Sequence, residues 1–285
     1  MTISRRKFLK ISLASAVGTA VAGISGFGYA HDVEPDMFEV VSLELTLPRL
    51  HPAFDGYKLV QFSDIHLGTG MTPERLVRVV ALVNAQEPDS IAITGDFVTH
   101  GPMEILESPL IETLKNLTAK DARVAILGNH DHWTDPDAVR RVIVQSGLTD
   151  LSNSVYTLQR GDAVLHLAGV DDYWERKDRM DDVLALLPEN GAAILLAHEP
   201  DYADISVATG RFDLQISGHS HGGQVILPFI GPLVVPQYSK KYPLGRYQVG
   251  NMIQYTNRGV GTINPAVRFN CRPEITVFTL RAAQA

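Results

Sequence analysis

The sequence predicts an α/β fold in which two β-sheets pack face to face and helices cover their outer faces. Two observations lead to this prediction. The first half of the chain alternates short apolar runs with amphipathic segments, which is typical of strands alternating with helices. The second half carries paired apolar runs joined by turn residues, as at Arg160-Gly161-Asp162 and Gly250-Asn251, and such pairs indicate β-hairpins.

The first predicted element is a half-exposed edge strand, because apolar residues alternate with polar ones from Val41 to Leu47. Three helices are predicted to begin where a capping residue is followed by proline, at Thr72-Pro73, Ser108-Pro109 and Asp135-Pro136. Gly147 is expected to end the third helix. Buried strands are predicted at 58–63, 90–94 and 124–127.

The second half is predicted to contain more strand than helix. A hairpin is expected over 155–168 and another over 247–255. A short helix is expected near 180–187, with buried strands at 193–197 and 214–217 and a last strand near 275–278.

Composition describes an ordinary globular protein of 285 residues, of which 45% are hydrophobic and 20% are charged. The net charge is −7, which excludes nucleic-acid binding through a basic surface. The single cysteine, Cys271, cannot form an internal disulfide and is expected to be a small buried residue.

The amino terminus has the pattern of an export signal. Ser4 to Lys10 contains paired arginines, Ile11 to Tyr29 carries no charge, and Gly28-Tyr29-Ala30 offers small residues where a signal peptidase would need them. This stretch resembles the twin-arginine export motif, so residues 1–30 are expected to be a twin-arginine-type signal peptide and residues 31–285 the functional domain. The resemblance implies the twin-arginine export machinery as a partner. It implies a location in the periplasm or on the outer face of the cytoplasmic membrane, with retention as a membrane anchor if the signal is uncleaved.

Metal-competent side chains follow five of the predicted strands. They are Asp64 with His66, Asp96, Asn129 with His130, His198, and His219 with His221. The ends of strands are where open α/β sheets place their ligands. Asp64 and His66, two apart on extended backbone, are expected to project from the same face.

Carboxylate, amide oxygen and imidazole suit first-row transition metals, and the lack of thiolates argues against a structural zinc knot. Seven candidate ligands, Asp64, His66, Asp96, Asn129, His198, His219 and His221, are too many for one ion. Two ions that share Asp96 would use all of them, and paired metals are suited to displacement at phosphorus.

These blocks together resemble the calcineurin-like metallophosphoesterases. The resemblance implies a four-layer α/β/β/α sandwich of two mixed β-sheets and a dinuclear-metal-dependent phosphoester hydrolase. It assigns Asp64, His66, Asp96 and His221 to one metal and Asp96, Asn129, His198 and His219 to the other. It makes His130 the proton donor to the leaving group, oriented by a carboxylate such as Asp96. The metals would be divalent or trivalent manganese, iron or zinc ions, and a hydroxide bridging them would attack phosphorus.

A narrower resemblance concerns the segments 54–60, 222–232 and 268–274, which are similar to an exported or membrane-associated bacterial branch of that family. That branch includes phosphodiesterases and enzymes that hydrolyse UDP-2,3-diacylglucosamine. The resemblance implies a phosphodiesterase or pyrophosphatase acting on a lipid-linked or nucleotide-sugar substrate, with contact to a membrane surface.

Substrate contacts are expected outside the metal ligands. The apolar, proline-rich stretch Val225 to Tyr247 is a candidate wall for a leaving group, and its cations Lys240, Lys241 and Arg246 are candidates for binding a second phosphate. A packed loop with solvated lysines is the alternative. Residues 171–174 are expected to line the opposite rim.

Three other histidines are not expected in the site, His166 as a structural residue and His100 and His132 as surface residues. Two other functions stay open from the sequence: a phosphomonoesterase or nucleotidase, and a non-catalytic envelope protein that binds metals.

Overall fold

Two six-stranded mixed sheets form the centre of the molecule. The structure is a computed structural model that describes residue 23 and residues 25–283. The first sheet comprises β1 (Glu39–Leu47), β2 (Tyr57–Phe62), β3 (Ser90–Thr94), β4 (Ala122–Ile126), β5 (Thr149–Asp150) and β14 (Glu274–Ala282), in the order β1-β14-β2-β3-β4-β5. The second comprises β6 (Ser154–Arg160), β7 (Ala163–Gly169), β8 (Ala192–Leu196), β9 (Leu214–Ser217), β12 (Gly245–Val249) and β13 (Met252–Thr256), in the order β12-β13-β9-β8-β7-β6. A separate two-stranded hairpin is formed by β10 (Ile226–Leu227) and β11 (Gly231–Pro232).

Six α-helices lie outside the sheets between residues 39 and 283. They are α1 (Pro73–Asn84), α2 (Met103–Leu114), α3 (Asn129–Thr134), α4 (Pro136–Gln145), α5 (Met180–Leu186) and α6 (Ala203–Ala208). Short turns of other helix types lie at Tyr29–Val33, Glu34–Asp36, Pro52–Phe54, Pro200–Tyr202 and His221–Gly223.

Three apolar cores separate four layers. One core packs α1, α2 and α4 on the outer face of the first sheet, through residues such as Leu76, Leu110 and Val142. The second lies between the two sheets, and the third packs α5 and α6 on the outer face of the second sheet. The predicted four-layer α/β/β/α sandwich is therefore confirmed.

Parallel pairing aligns the strand ends that carry the site. β2, β3 and β4 are parallel neighbours, and β8 and β9 are parallel neighbours in the other sheet. These strands are buried along nearly their whole length because both faces of each sheet are covered. Their carboxyl ends meet at one edge of the sandwich.

Most predicted elements are confirmed. β1 lies at an edge, the hairpins β6–β7 and β12–β13 are antiparallel, and Cys271 and His166 are buried. His166 is structural, because its ring nitrogens contact the Thr157 hydroxyl and the Asn190 carbonyl at 2.9 Å each.

The predicted start of the second helix at Ser108-Pro109 is wrong. α2 begins at Met103 and contains Pro109 within it. Proline removes the N–H that would bond to the Ile105 carbonyl, and Ile105 lies on the solvent face, where water can take that bond. Burial of Leu106, Leu110 and Leu114 holds the whole helix against the sheet.

Most of the predicted signal peptide lies outside the described residues. Within the described chain, Ala30 is buried and its carbonyl accepts a hydrogen bond from the Arg268 N–H at 2.7 Å. No helix in the described part of the chain is both long and apolar enough to cross a membrane.

Candidate metal centre

Most of the candidate ligands lie on backbone with an uncommon conformation. The φ angle is positive at five of the seven: Asp64 (53°), His66 (51°), Asp96 (57°), His219 (68°) and His221 (51°). This left-handed region is uncommon for residues other than glycine, and it persists where the surrounding structure fixes it, which is typical of functional sites.

The expected extended backbone at Asp64 and His66 is therefore wrong, although both side chains do reach one place. β2 ends at Phe62, and the chain then bends. The Asp64 N–H donates to the Gly95 carbonyl and the His66 N–H to the Asp96 carbonyl, so hydrogen bonds to the loop after β3 fix the bend.

One group of buried donors consists of Asp64, His66 and His221, with one ligand atom of each within 4.8 Å of the others. The two Nε2 atoms of His66 and His221 are 3.0 Å apart, and Asp64 Oδ1 is 3.4 Å from His221 Nε2. His66 Nδ1 lies 3.0 Å from the Thr99 hydroxyl, which fixes the ring. Lone pairs that converge from two imidazoles and a carboxylate suit a shared cation.

A second group consists of Asp96, His198 and His219, again with ligand atoms within 4.8 Å of one another. His198 Nδ1 donates to the Thr94 carbonyl at 2.7 Å and His219 Nε2 to the Gln237 carbonyl at 2.8 Å, so the other nitrogen of each ring carries the lone pair.

Asn129 Oδ1 and His198 Nε2 are buried without a hydrogen-bond partner in the described structure. Such atoms are costly to bury, and a bound cation would satisfy both.

Asp96 stands between the two groups. Its Oδ2 lies 3.4 Å from His66 Nε2 and 3.2 Å from His198 Nε2, while Oδ1 accepts a hydrogen bond from the His130 N–H. One carboxylate thus faces both groups, as a ligand shared by two ions must.

Burial keeps two of the imidazoles neutral. It lowers the pKa of His66 to about 3 and the pKa of His219 to about 4, because a charged ring would lose its hydration. The neutral ring is the form that binds a metal.

Two glycines, Gly128 and Gly218, allow the backbone to pass close to the candidate ligands. A Cβ at Gly128 would lie 2.8 Å from the His198 ring and collide with the Asp96 carboxylate. A Cβ at Gly218 would collide with the side chains of Ser63 and Asp64. Any larger residue at either position would push the ligands apart.

Asp131 is a buried residue beside the candidate ligands to which the sequence reasoning gave no role. Its buried carboxylate accepts hydrogen bonds from the N–H groups of Asp96, Phe97, Val98 and Gly128 at 2.8–3.3 Å. It thereby ties the loop after β3 to the start of α3. The Gly-Asn-His-Asp run contains this residue, but nothing in the run shows that four backbone donors face it.

His130 lies at the edge of the metal ligands. Its Nδ1 donates to the Thr99 carbonyl at 2.8 Å, and its ring packs edge-on against those of His66 and Trp133. The expected orienting carboxylate is therefore replaced by a backbone carbonyl, and Asp96 instead receives the His130 main-chain N–H. The bond at Nδ1 leaves Nε2 as the ring atom that can exchange a proton.

Aromatic rings border the site beside His130. Trp174 packs edge-on against Trp133, His219 and Tyr238, with ring centroids 5.4–5.9 Å apart. The Tyr173 and Trp174 N–H groups donate to the buried Glu199 carboxylate, which holds this segment in place. The expected rim at 171–174 is thus beside the second group of ligands.

The prediction that His132 lies on the surface is wrong. Its side chain is 8% exposed and its Nε2 lies 2.7 Å from the Asp171 carboxylate. His100, in contrast, is exposed as expected.

The three predicted substrate-binding cations are exposed, but they differ in their contacts. The Lys241 ammonium pairs with Asp204 on α6, so its charge is already balanced. The main-chain N–H groups of Lys240 and Lys241 donate to Asp201 at 3.0 Å. Lys240 and Arg246 have no ion pair in the described structure.

Two adjoining groups of buried imidazole, carboxylate and amide ligands at the carboxyl edge of a two-sheet sandwich define a metal-dependent hydrolase. Comparison with known proteins agrees. Residues 57–223 match the family model described as calcineurin-like phosphoesterase. The chain belongs to this family of metal-dependent phosphoester hydrolases, and the family and the ligand clusters together indicate a binuclear metal site.

Relatives match along nearly the whole chain. An uncharacterized metallophosphoesterase of Bacillus subtilis, YkuE, is 37% identical over 98% of this chain and 98% of its own length. The phosphodiesterase YaeI of Escherichia coli is 30% identical over 98% and 99%. Among solved structures, TT1561 of Thermus thermophilus is 14% identical with a TM-score of 0.47, over 72% of this chain and 90% of that one.

Proposed function

We propose that the protein hydrolyses phosphodiesters or pyrophosphates at a dinuclear centre. The observation that carries the proposal is the single Asp96 carboxylate oxygen lying within 3.4 Å of histidine nitrogens from both groups of ligands. The name of the E. coli relative, a phosphodiesterase, supports the diester class.

The donor set supports the ligand assignment. Asp64, His66, Asp96 and His221 would hold one ion, and Asp96, Asn129, His198 and His219 the other. Two bound manganese, iron or zinc ions would supply positive charge for the phosphate oxygens and lower the pKa of a bound water. Burial of the ligands excludes bulk water and strengthens these electrostatic interactions.

His130 is the proposed general acid. Because Nδ1 is held by the Thr99 carbonyl, the protonated ring would donate from Nε2 to the departing oxygen. The packing of Trp133 against the ring restricts its rotation and keeps that nitrogen in one direction.

The substrate is proposed to be lipid-linked or a nucleotide sugar. The leaving group would lie against Trp133 and Trp174 on one side and the uncharged stretch that begins at Val225 on the other. Lys240 and Arg246, which form no ion pair with any described residue, are better candidates for a second phosphate than Lys241, which pairs with Asp204.

Export through the twin-arginine route is proposed from residues 1–30, with the protein in the periplasm or on the outer face of the cytoplasmic membrane, anchored there if the signal is uncleaved. Fractionation of cells that express the Arg5→Lys/Arg6→Lys double variant tests this. Retention of the variant in the cytoplasm supports export by this route, and unchanged export contradicts it.

Hydrolysis by metal-reconstituted protein tests the proposed chemistry. Bis(p-nitrophenyl) phosphate and p-nitrophenyl phosphate are compared with manganese, iron or zinc, together with lipid-linked pyrophosphates. Faster turnover of the diester or of a pyrophosphate supports the proposal, whereas preference for the monoester favours a phosphomonoesterase. No turnover with any of these metals favours a non-catalytic metal-binding protein.

A further inference from the structure

The hairpin β10–β11 presents an apolar tip to solvent. Phe229 is fully exposed, and Ile230 and Val234 are 72% and 75% exposed. No residue from 222 to 239 is charged. Soluble surfaces seldom leave so many large apolar side chains together without a partner.

The tip is also strained at its most exposed residue. Phe229 has a φ of 67°, in the left-handed region that hairpin turns normally fill with glycine, asparagine or aspartate. A bulky side chain is uncommon there, and Phe229 gains no core packing to offset the cost. Strain of this kind is typical of segments kept for binding.

The base of the hairpin lies where the amino-terminal segment enters the fold. The Ile226 N–H donates to the Phe269 carbonyl, and the neighbouring Arg268 N–H donates to the Ala30 carbonyl. Ala30 follows the uncharged stretch from Ile11 to Tyr29, and Phe27 is 64% exposed. Ala30 and the base of the hairpin therefore contact neighbouring residues, Arg268 and Phe269.

The hairpin also adjoins the metal centre. A cavity of about 300 Å³ is walled by Val225, Leu233 and Val234 on the hairpin side and reaches the candidate ligand His221. An apolar surface that bound the tip would therefore lie close to this cavity.

We propose that the tip of the β10–β11 hairpin, Phe229 with Ile230, inserts into the interfacial region of a lipid bilayer. Apolar side chains enter this region readily when no charge has to be desolvated with them, and no residue from 222 to 239 is charged. The inference rests on the proposed function only for its location at a membrane. Insertion can be measured without hydrolysis, so either proposal can fail alone.

The test uses the full chain with a Phe229→Cys substitution and an NBD label on the new thiol. Ile105→Cys is the matched control, since Ile105 is 66% exposed on α2. Cys271 is buried, and the unsubstituted chain reports its background labelling. Vesicles contain phosphatidylethanolamine and phosphatidylglycerol, with nitroxide-labelled lipid as a depth quencher. Thermal unfolding of each variant confirms that it is folded.

Insertion predicts that vesicles raise the emission at position 229 severalfold with a blue shift, that nitroxide lipid quenches it, and that position 105 does not respond. An unchanged emission at 229, or an equal response at 105, overturns the proposal. So does a label at 229 that is already shielded without vesicles. If that shielding depends on protein concentration, a second copy of the chain covers the tip. If the shielding is independent of protein concentration, a segment of the same chain covers it.

Discussion

His130 is held through its ring and its main chain at once, by the Thr99 carbonyl and the Asp96 carboxylate. A ring held in this way can deliver a proton in one direction, but it is not among the buried ligands. Its contribution to hydrolysis should therefore be separable from metal binding.

Replacing His130 by alanine is expected to slow hydrolysis of alkyl diesters by about 10²–10⁴-fold, because an alkoxide needs a proton to depart. The loss should be much smaller for bis(p-nitrophenyl) phosphate, whose leaving group is already stable. Steady-state kinetics with both substrates measure the difference, and His100→Ala serves as an exposed control. An equal loss on both substrates, with metal content unchanged, would refute the assignment.

Asp131 holds two backbone segments together through its side chain. Its carboxylate accepts hydrogen bonds from four N–H groups in two segments. Asparagine has a single acceptor oxygen and would direct an NH₂ group at some of these donors.

Asp131→Asn is expected to lower the free energy of unfolding by about 2–4 kcal/mol, because some of the buried N–H groups would be left without an acceptor. Urea denaturation in EDTA measures the loss for the protein alone. Asp135→Ala is the matched control, since it removes only the side-chain cap of α4 and should cost about 1 kcal/mol. A loss no greater than that of the control would show that Asp131 does not hold the loop.

The candidate ligands were predictable from the sequence, because each is a metal-competent residue type placed directly after a predicted strand. Asp64, His66, Asp96, His198 and His221 each follow a strand, and the structure brings them together. The partners of His132 and Lys241 were not predictable, since Asp171 and Asp204 are 39 and 37 positions away and in other elements. The left-handed backbone at Asp64 and His66 was equally hidden, because hydrogen bonds to the loop after β3 fix it.

Among the elements, the segment from Gln237 to Tyr242 connects Asp201, in the turn before α6, to the candidate ligand His219. Asp201 accepts the N–H groups of Lys240 and Lys241, and the Gln237 carbonyl in turn orients His219. A contact at the surface is thus connected to a proposed ligand.

Asp201→Ala is expected to weaken binding of one of the two ions about tenfold or more, because the carbonyl that orients His219 would lose its support. Metal titration followed by mass spectrometry under non-denaturing conditions measures the two affinities. Asp204→Ala removes the side-chain partner of Lys241 and of the Tyr242 hydroxyl but keeps the Asp201 carboxylate, so it should leave both affinities unchanged. Equal weakening in the two variants would contradict this role for Asp201.

Elements with a strong pattern were predictable, and those decided by packing were not. The strands and hairpins follow from apolar alternation and turn residues. α2 extends six residues before the predicted start at Pro109 because its apolar face, not its proline, decides its length. The hairpin β10–β11 has two-residue strands, which are too short for any periodic signal.

At the scale of the whole molecule, the sandwich brings together side chains from Asp64 to His221 that lie in the loops of both sheets. Parallel strands make this possible because their carboxyl ends share one edge. The four-layer arrangement was predictable from the order of helices and strands and from the family resemblance, whereas the distances within the site depend on packing between the sheets.

The central claim is that these side chains form one centre for two metal ions that share Asp96. The metal content of purified protein, loaded with manganese, iron or zinc and measured by plasma mass spectrometry, tests it most directly. We expect about two ions per chain for the native sequence and loss of both in Asp96→Ala, since that carboxylate is shared. His221→Ala should retain about one ion. A folded native chain that holds no more than a trace of metal under every loading condition would contradict the claim.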